Sequence, residues 1–235
     1  MRKTILLALS TVAIASVSTN YAGDITGKIS LKGSAPAEKD LPIANDPFCG
    51  KLFAGKPVPT TRFYLTDSSG GLADTFVYIK SGLEGKTIPA ATGLVMIDQK
   101  GCEYLPYVFG LQTGQTLNVK NSDPLMHNVH VTPGAKSGNK ESNKAQMAGS
   151  KAYEYSFEHS EVFLRFKCDV HPWMFAYGGV VEHPYFAVSA EDGSFKIANV
   201  PPGEYVVEAV HRKTHPRGTG ITQTVKVGAD GAKAD

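Results

Sequence analysis

The stretch VFLRFKCDVHPWM spans residues 162–174 and decides which fold and which chemistry we expect of this chain. Apolar residues alternate with others through its first half, a pattern that predicts a β-strand with one buried face. Val162, Leu164 and Phe166 share that face, and Cys168 continues it. The thiol of Cys168 is therefore expected to point inward.

The second half of the stretch holds candidate metal ligands. Cys168, His171 and Met174 follow at three-residue intervals on one expected tight loop, in which Pro172 restricts the backbone. A thiolate, an imidazole and a weak axial thioether together favour electron-transfer copper among the biological metals. Upstream, His127 lies by a strand-like run and offers the second imidazole. The chain can thus assemble two histidines, one cysteine and one methionine.

The alternation around His127 determines which distant histidine can join this set. In an extended strand, His127, Val129 and Val131 share one face, whereas Asn128 and His130 point the opposite way. His130 is therefore not expected to bind the same ion as His127.

Residues 94–184 resemble the cupredoxin family, of the plastocyanin and pseudoazurin kind. The resemblance lies in the run 117–121 ahead of a His-Asn pair, and in the run 166–174 followed by the segment 179–181. It implies a Greek-key β-sandwich that binds one copper ion. The implied equatorial ligands are His127, Cys168 and His171, the implied axial ligand is Met174, and Asn128 would tie the two ligand loops together by hydrogen bonds.

Two features distinguish this chain from related copper centres. Only Pro172 and Trp173 lie between His171 and Met174, fewer residues than in plastocyanin-like loops. The same short spacing occurs in the binuclear copper-A centre, but Leu164 stands where that centre needs a second cysteine. A single copper ion is therefore expected.

The same residues allow other interpretations. A zinc site would seldom use methionine, and a cysteine nucleophile would need an orienting group that is not recognisable around Cys168.

Trp173 and Phe175 either cap and dry the site or form an apolar docking face beside an exposed edge of His171. His183 is a possible fifth donor that is more often structural. The expected surface histidines are His159, His211 and His215.

The first residues have the layout of a secretory signal. Arg2 and Lys3 precede an apolar stretch from Ile5 to Val17 and small residues up to Ala22. We therefore expect a periplasmic or secreted protein with no membrane span after removal of the signal. Without Arg2 and Lys3 the 24 basic residues become 22, against 22 acidic residues, so nothing indicates nucleic-acid binding.

Three cysteines leave one unpaired after any pairing. If Cys168 is the odd one, Cys49 and Cys102 can form a disulfide in an oxidising compartment. The alternative is two buried free thiols.

Short strands dominate the rest of the chain, and an all-β sandwich is the natural fold class. The predicted strands cover 25–31, 62–65, 75–80, 94–98, 116–120, 162–167, 195–198, 204–211 and 221–227. Residues 33–60 are expected to form a long ordered loop. Residues 133–152 are expected to form a mobile loop or a cationic docking surface, and they carry Lys136, Lys140, Lys144 and Lys151.

The hairpin-like run at 192–205 resembles the carboxypeptidase regulatory-like fold, a small transthyretin-type sandwich. This resemblance implies a cupredoxin domain inserted into a small regulatory-like β-sandwich. The expected parts are a signal peptide at 1–22, a discontinuous regulatory-like sandwich at 23–90 and 185–228, a cupredoxin domain at 91–184, and a flexible tail at 229–235.

The leading functional hypothesis is a periplasmic mononuclear copper protein that is not an enzyme and carries single electrons between Cu(II) and Cu(I) for an unidentified redox protein. The alternatives are copper delivery, storage or sensing, a copper enzyme with an open coordination position, and a purely structural sandwich protein without copper.

Overall fold

The computed structural model describes residues 22–213 and 220–235, and β-strands are their main regular secondary structure. The all-β fold class predicted from the sequence is confirmed. Nearly all of the expected signal peptide, and His215, lie outside the described residues. Within the described part of the chain, no helix is long and apolar enough to cross a membrane.

The strands are short, and two brief helical turns lie between the first two of them. The turns are a 3-10 helix at Pro42–Asn45 and helix α1 at Cys49–Leu52. The strands are β1 Gly23–Lys28, β2 Thr75–Ser81, β3 Val95–Gln99, β4 Tyr104–Leu105, β5 Val108–Gln112, β6 Leu117–Asn121, β7 His127–Thr132, β8 Ser142–Gln146, β9 Tyr153–Tyr155, β10 Glu161–Lys167, β11 Phe175–Val181, β12 Phe186–Val188, β13 Ser194–Val200, β14 Gly203–His211, β15 Ile221–Val227 and β16 Ala232–Lys233.

Four sheets contain these strands. The middle of the chain forms a five-stranded sheet, β5-β11-β10-β7-β8, and a four-stranded sheet, β4-β3-β6-β9. The strands from both ends of the chain form the other two sheets, β12-β2-β14-β15 and β13-β1-β16. Each pair of sheets has its own apolar core, one around Leu117 and Phe166 and the other around Ile79 and Tyr205.

The two sandwiches pack together through a third apolar cluster that contains Phe76, Val108 and Val181. Gly110 of β5 and Gly179 of β11 pair in register, and neither has a side chain to fill the space above the sheet. A Cβ atom at Gly179 would lie 2.3 Å from the ring of Phe76. The two glycines therefore create the slot that accepts aromatic rings from the other sandwich.

The regular alternation expected along β10 is interrupted. Phe163 has a φ of 65°, and the pairing of β10 with β11 shifts between Val162 and Leu164. This β-bulge turns Val162 towards the third cluster, whereas Leu164 and Phe166 remain in the core of the middle sandwich. The expectation that Val162 shares their face is wrong for this reason.

Three other segments differ from expectation. Residues 62–65 form no strand, since Arg62 has a left-handed φ of 50°. The segment 133–152 is not a loop throughout, because β8 pairs with β7 along five residues. The segment 229–235 is not a free tail, because β16 pairs in parallel with β1 and Ala234 is buried.

Candidate metal centre

Cys168 follows directly after β10 and enters the core of the middle sandwich. Its side chain is 2% exposed and lies in the cluster that contains Leu164 and Phe166. The backbone N–H of Asn128 donates a hydrogen bond to Cys168 Sγ at 3.4 Å. The thiol is therefore an inward-facing donor, and backbone N–H groups stabilise its negative form.

The loop after Cys168 turns back on itself within six residues. The N–H of Met174 donates to the carbonyl of His171 at 2.9 Å, and the N–H of Cys168 donates to the carbonyl of Met174 at 3.2 Å. As a result, Nδ1 of His171 lies 3.5 Å from Cys168 Sγ. Met174 is 1% exposed and belongs to the same core cluster as Cys168.

His127 completes the cluster from the first position of β7, where its side chain is fully buried. Its Nδ1 lies 2.9 Å from Nδ1 of His171 and 4.0 Å from Sγ of Cys168. Metal–nitrogen bonds of about 2.0 Å and metal–sulfur bonds of about 2.3 Å allow donors at such separations to share one ion. Two imidazoles and a thiolate also fit copper by their softness.

Asn128 links β7 to the ligand loop. Its Oδ1 accepts the backbone N–H of Asp169 at 2.6 Å, and its Nδ2 donates to Oδ1 of Asn143 at 2.6 Å. The hydroxyl of Tyr104 donates to the backbone carbonyl of Asn128 at 2.7 Å. The bond from Asp169 holds the strand that carries His127 against the loop after β10, and the other two bonds tie that strand to β8 and β4.

Asp123 is a part of the site that sequence reasoning missed. Its Oδ2 lies 2.9 Å from Nε2 of His127, and both side chains are buried. The backbone N–H groups of Gly101 and Cys102 donate to its two carboxylate oxygens. A carboxylate on the second ring nitrogen fixes the tautomer of a metal-binding histidine and so leaves Nδ1 of His127 free to bind metal.

A cap formed by residues 42–53 covers the other histidine. Asp46 of this cap places Oδ2 at 3.7 Å from Nε2 of His171. Cys49 forms the disulfide with Cys102, and Cys49 Sγ, an oxygen of Asp46 and a nitrogen of His171 lie within 4.8 Å of one another. His171 is only 2% exposed, so the expectation of an exposed edge of His171 is wrong.

The two aromatic side chains that flank Met174 have different surroundings. The indole N–H of Trp173 donates to the backbone carbonyl of Cys102 at 3.0 Å, and its ring lies 5.4 Å from that of His171. Phe175 is partly buried against the third cluster. Trp173 therefore helps to close the site, and the docking role of both residues stays a prediction.

The ionisation of Cys168 and His171 favours their metal-binding forms. Burial raises the pKa of the Cys168 thiol, but the contact with His127 and the backbone N–H groups of Asn128, His171 and Val170 outweigh burial and leave the pKa below its ordinary value. Burial and the neighbouring His127 lower the pKa of His171. A thiolate and a neutral imidazole are the forms that bind metal. Burial lowers the pKa of His127, but Asp123 and Cys168 outweigh burial and leave the pKa above its ordinary value, so metal binding at His127 would displace a proton.

The remaining described histidines lie apart from this cluster. His130 points away from His127 and contacts carboxylate oxygens of Asp169 and Glu141 at 2.7 and 2.6 Å. His183 bonds through Nε2 to the carbonyl of Ile79 and through Nδ1 to another backbone group, a structural role. His159 is exposed. His211 is 2% exposed at the end of β14, so its expected surface position is wrong.

A cavity of about 270 Å³ lies beside Met174, next to the candidate metal ligands. Its walls include Met174 and Trp173, together with Arg62, Glu103 and Arg212. Arg62 pairs with Glu103 at 3.3 Å. The cavity thus combines an apolar wall next to a candidate ligand with charged groups in its lining.

Comparison with known proteins identifies copper proteins among solved structures. No protein-family model and no curated protein matches this chain. A reduced Cu(I) form of an amicyanin mutant is 22% identical and aligns over 44% of this chain and 97% of its own, with a TM-score of 0.33. A purple cupredoxin from Nitrosopumilus maritimus is 21% identical over 37% of this chain and 98% of its own, with a TM-score of 0.31.

A copper-containing nitrite reductase from Thermus scotoductus SA-01 is also similar. It is 17% identical and aligns over 43% of this chain and 25% of its own, with a TM-score of 0.35. At these identities and scores the likeness supports no functional argument.

Proposed function

We propose that this chain binds one copper ion through His127, Cys168, His171 and Met174 and carries single electrons as a non-enzymatic protein. The observation that carries the proposal is the convergence of Cys168 Sγ with Nδ1 of His127 and of His171, all buried and within 4.8 Å of one another. Bound copper would supply a one-electron couple between Cu(II) and Cu(I).

The protein surroundings suit a carrier because they hold the donor atoms in place. Cys168 and Met174 belong to the core, and backbone hydrogen bonds close the loop between them. His127 is held by Asp123 and lies on a strand that Asn128 ties to the same loop. Donors fixed in this way need little rearrangement when the charge of a bound ion changes.

Export to an oxidising compartment is part of the proposal. The Cys49–Cys102 disulfide supports it, because such bonds persist mainly in the periplasm or outside the cell. The electron donor or acceptor would be another redox protein that docks at Trp173 and Phe175 or at the exposed lysines of residues 133–152.

The domain organisation belongs to the same proposal. We propose that residues 91–184 form a cupredoxin domain inserted into a regulatory-like sandwich made from residues 23–90 and 185–228. The sorting of the strands supports it, since β3 to β11 form one pair of sheets and the flanking strands form the other. The second sandwich would then serve as a scaffold.

The test compares two histidines on opposite faces of β7. His127→Ala is expected to abolish stoichiometric copper binding, whereas His130→Ala, the matched control, is expected to retain it. The mature protein loaded with copper should show an intense thiolate-to-copper charge-transfer band and a matching electron paramagnetic resonance spectrum. Cys168→Ser should remove that band. Stoichiometric copper without the band would indicate delivery or storage instead, and absence of copper would refute the proposal.

The cavity beside Met174 favours one second candidate, a copper enzyme with an open coordination position. A small anion that enters this cavity could reach the metal beside Met174, with Arg62 and Arg212 in its walls. Addition of azide or nitrite to the copper-loaded protein separates the two functions. A changed optical spectrum supports the enzyme, and an unchanged spectrum supports the carrier.

A further inference from the structure

Both histidines of the metal centre present their outer nitrogen to a carboxylate. Nδ1 of each ring faces the cluster, so Nε2 is the outer atom. For His127 the outer atom lies 2.9 Å from Asp123, and for His171 it lies 3.7 Å from Asp46. The first distance is that of a hydrogen bond, whereas the second is an ion-pair separation without one.

The same disulfide organises both carboxylates. The backbone N–H of Cys102 donates to Asp123 at 2.8 Å, and the backbone N–H of Cys49 donates to Asp46 at 2.7 Å. Cys49 and Cys102 are both fully buried. Each half of the disulfide therefore anchors the carboxylate that faces one histidine.

We propose that Asp123 and Asp46 are positioning residues that lower the reduction potential of copper held by His127, Cys168 and His171. The inference rests on the proposed function and extends it to residues that touch no metal. It assigns the Cys49–Cys102 disulfide the role of fixing both carboxylates beside the site.

The physical reason is the charge difference between the two copper states. A nearby negative charge attracts Cu(II) more strongly than Cu(I), and burial strengthens that difference because the surroundings screen little. The hydrogen bond from His127 to Asp123 also makes the imidazole a stronger donor. Asp123 is 5% exposed and the side chain of Asp46 is 22% exposed, so the effect of Asp123 is expected to be the larger.

Asp46→Asn is the cleanest variant. The backbone N–H groups of Phe48 and Cys49 both donate to Oδ1 of Asp46, while Oδ2 faces His171. An asparagine can keep its oxygen on the two backbone donors and change only the atom that faces the histidine. Its fold should therefore be preserved.

Asp67→Asn is the matched control. Oδ1 of Asp67 likewise accepts two backbone N–H groups, from Ser69 and Gly71, in a turn beside Lys28 of the other sandwich. The substitution removes the same charge from a similar turn that contacts neither histidine. Its reduction potential should equal that of the unsubstituted protein.

The readouts are the reduction potential and the separate affinities for Cu(II) and Cu(I), measured on the copper-loaded full protein. Asp123→Asn is expected to favour Cu(I) at least tenfold, which corresponds to a rise of about 59 mV for a one-electron couple. Asp46→Asn is expected to shift the balance a few-fold in the same direction. The loss of affinity should fall mainly on Cu(II).

The outcomes separate this inference from the function on which it rests. If the unsubstituted protein lacks the charge-transfer band, the proposed function itself fails. If the band is present and the potential of Asp46→Asn and Asp123→Asn does not exceed that of Asp67→Asn, the positioning role is refuted. Should Asp123→Asn fail to fold, the potential of Asp46→Asn decides alone, with a rise as support and no rise as refutation.

Discussion

The side chain of His211 stacks on Tyr64 in the second sandwich, with ring centres 5.6 Å apart. Burial is the main cause that lowers its pKa from 6.5 to about 4, and the charge of Lys213 contributes further. The folded protein thus keeps this imidazole neutral at pH values where the unfolded chain already binds a proton. Folding is therefore expected to weaken as the pH falls.

The expected pH window follows from the two pKa values of His211. Between pH 6.5 and about 4 the unfolded state binds the extra proton, so this residue should cost up to about 1.4 kcal/mol per pH unit. His211→Gln should make the acid loss of stability shallower in this window. Urea unfolding of the copper-free protein at successive pH values measures it, with exposed His159→Gln as control. Equal slopes in His211→Gln and the control would contradict the burial argument.

The residue types and the alternation of side chains along the strands are sufficient to predict the residues at the centre of the candidate site. The inward Cys168, the choice of His127 over His130 and the link through Asn128 all follow from alternation or from a family motif. Asp123 could not be predicted in this way, because it lies on a turn where no periodicity indicates direction. The contact of Asp46 with His171 depends on a tertiary fold that brings distant segments together.

At the scale of elements, strands β5 and β11 show how two glycines join the sandwiches. A methyl group at Gly179 would overlap Phe76, which is fully buried and cannot move away easily. Gly179→Ala is therefore expected to destabilise the protein by about 1–3 kcal/mol, the usual cost of overpacking. Gly228→Ala is the control, since nothing lies within 4 Å of its added Cβ. Urea unfolding should give the control a free energy of unfolding close to that of the unsubstituted protein. Equal stability of both variants would contradict the claim that Gly179 leaves space for the ring of Phe76.

Strand prediction failed where pairing, rather than side-chain burial, determines the element. β8 has one buried residue in five, so its sequence lacks an apolar alternation, and it is a strand because it pairs with the edge of β7. β16 is a strand because it pairs with β1. At the bulge at Phe163, neighbouring residues of one strand pack into different apolar clusters: Val162 packs against the third cluster and Leu164 into the core of the middle sandwich. Such pairings are set by the assembled sheets.

At the scale of the whole molecule, the cap and the disulfide bring the chain's early residues over a site built from its middle. Cysteine counting predicts the pair Cys49 and Cys102, and the structure contains this disulfide. Their position beside both histidines has no signal in the sequence, because residues 33–60 carry no periodic pattern. The disulfide closes a loop across 53 positions and holds the cap against His171.

Removal of the disulfide should therefore have two separable effects. The double variant Cys49→Ala and Cys102→Ala introduces no new free thiol beside the proposed metal ligands. Chain entropy for a loop of this length predicts a loss of about 4 kcal/mol of stability. The freed cap should also expose His171, so a chelator should remove copper faster than from the unsubstituted protein.

Gly179→Ala distinguishes the loss of the cap from a general loss of stability. It is expected to destabilise the protein at the contact between the sandwiches without touching residues 42–53. Under conditions where both proteins remain folded, copper removal should accelerate in the disulfide variant and stay unchanged in Gly179→Ala. Equal acceleration in both variants would show that chelator access depends on overall unfolding. If copper removal is not accelerated in the disulfide variant, the cap covers His171 even when the disulfide is absent.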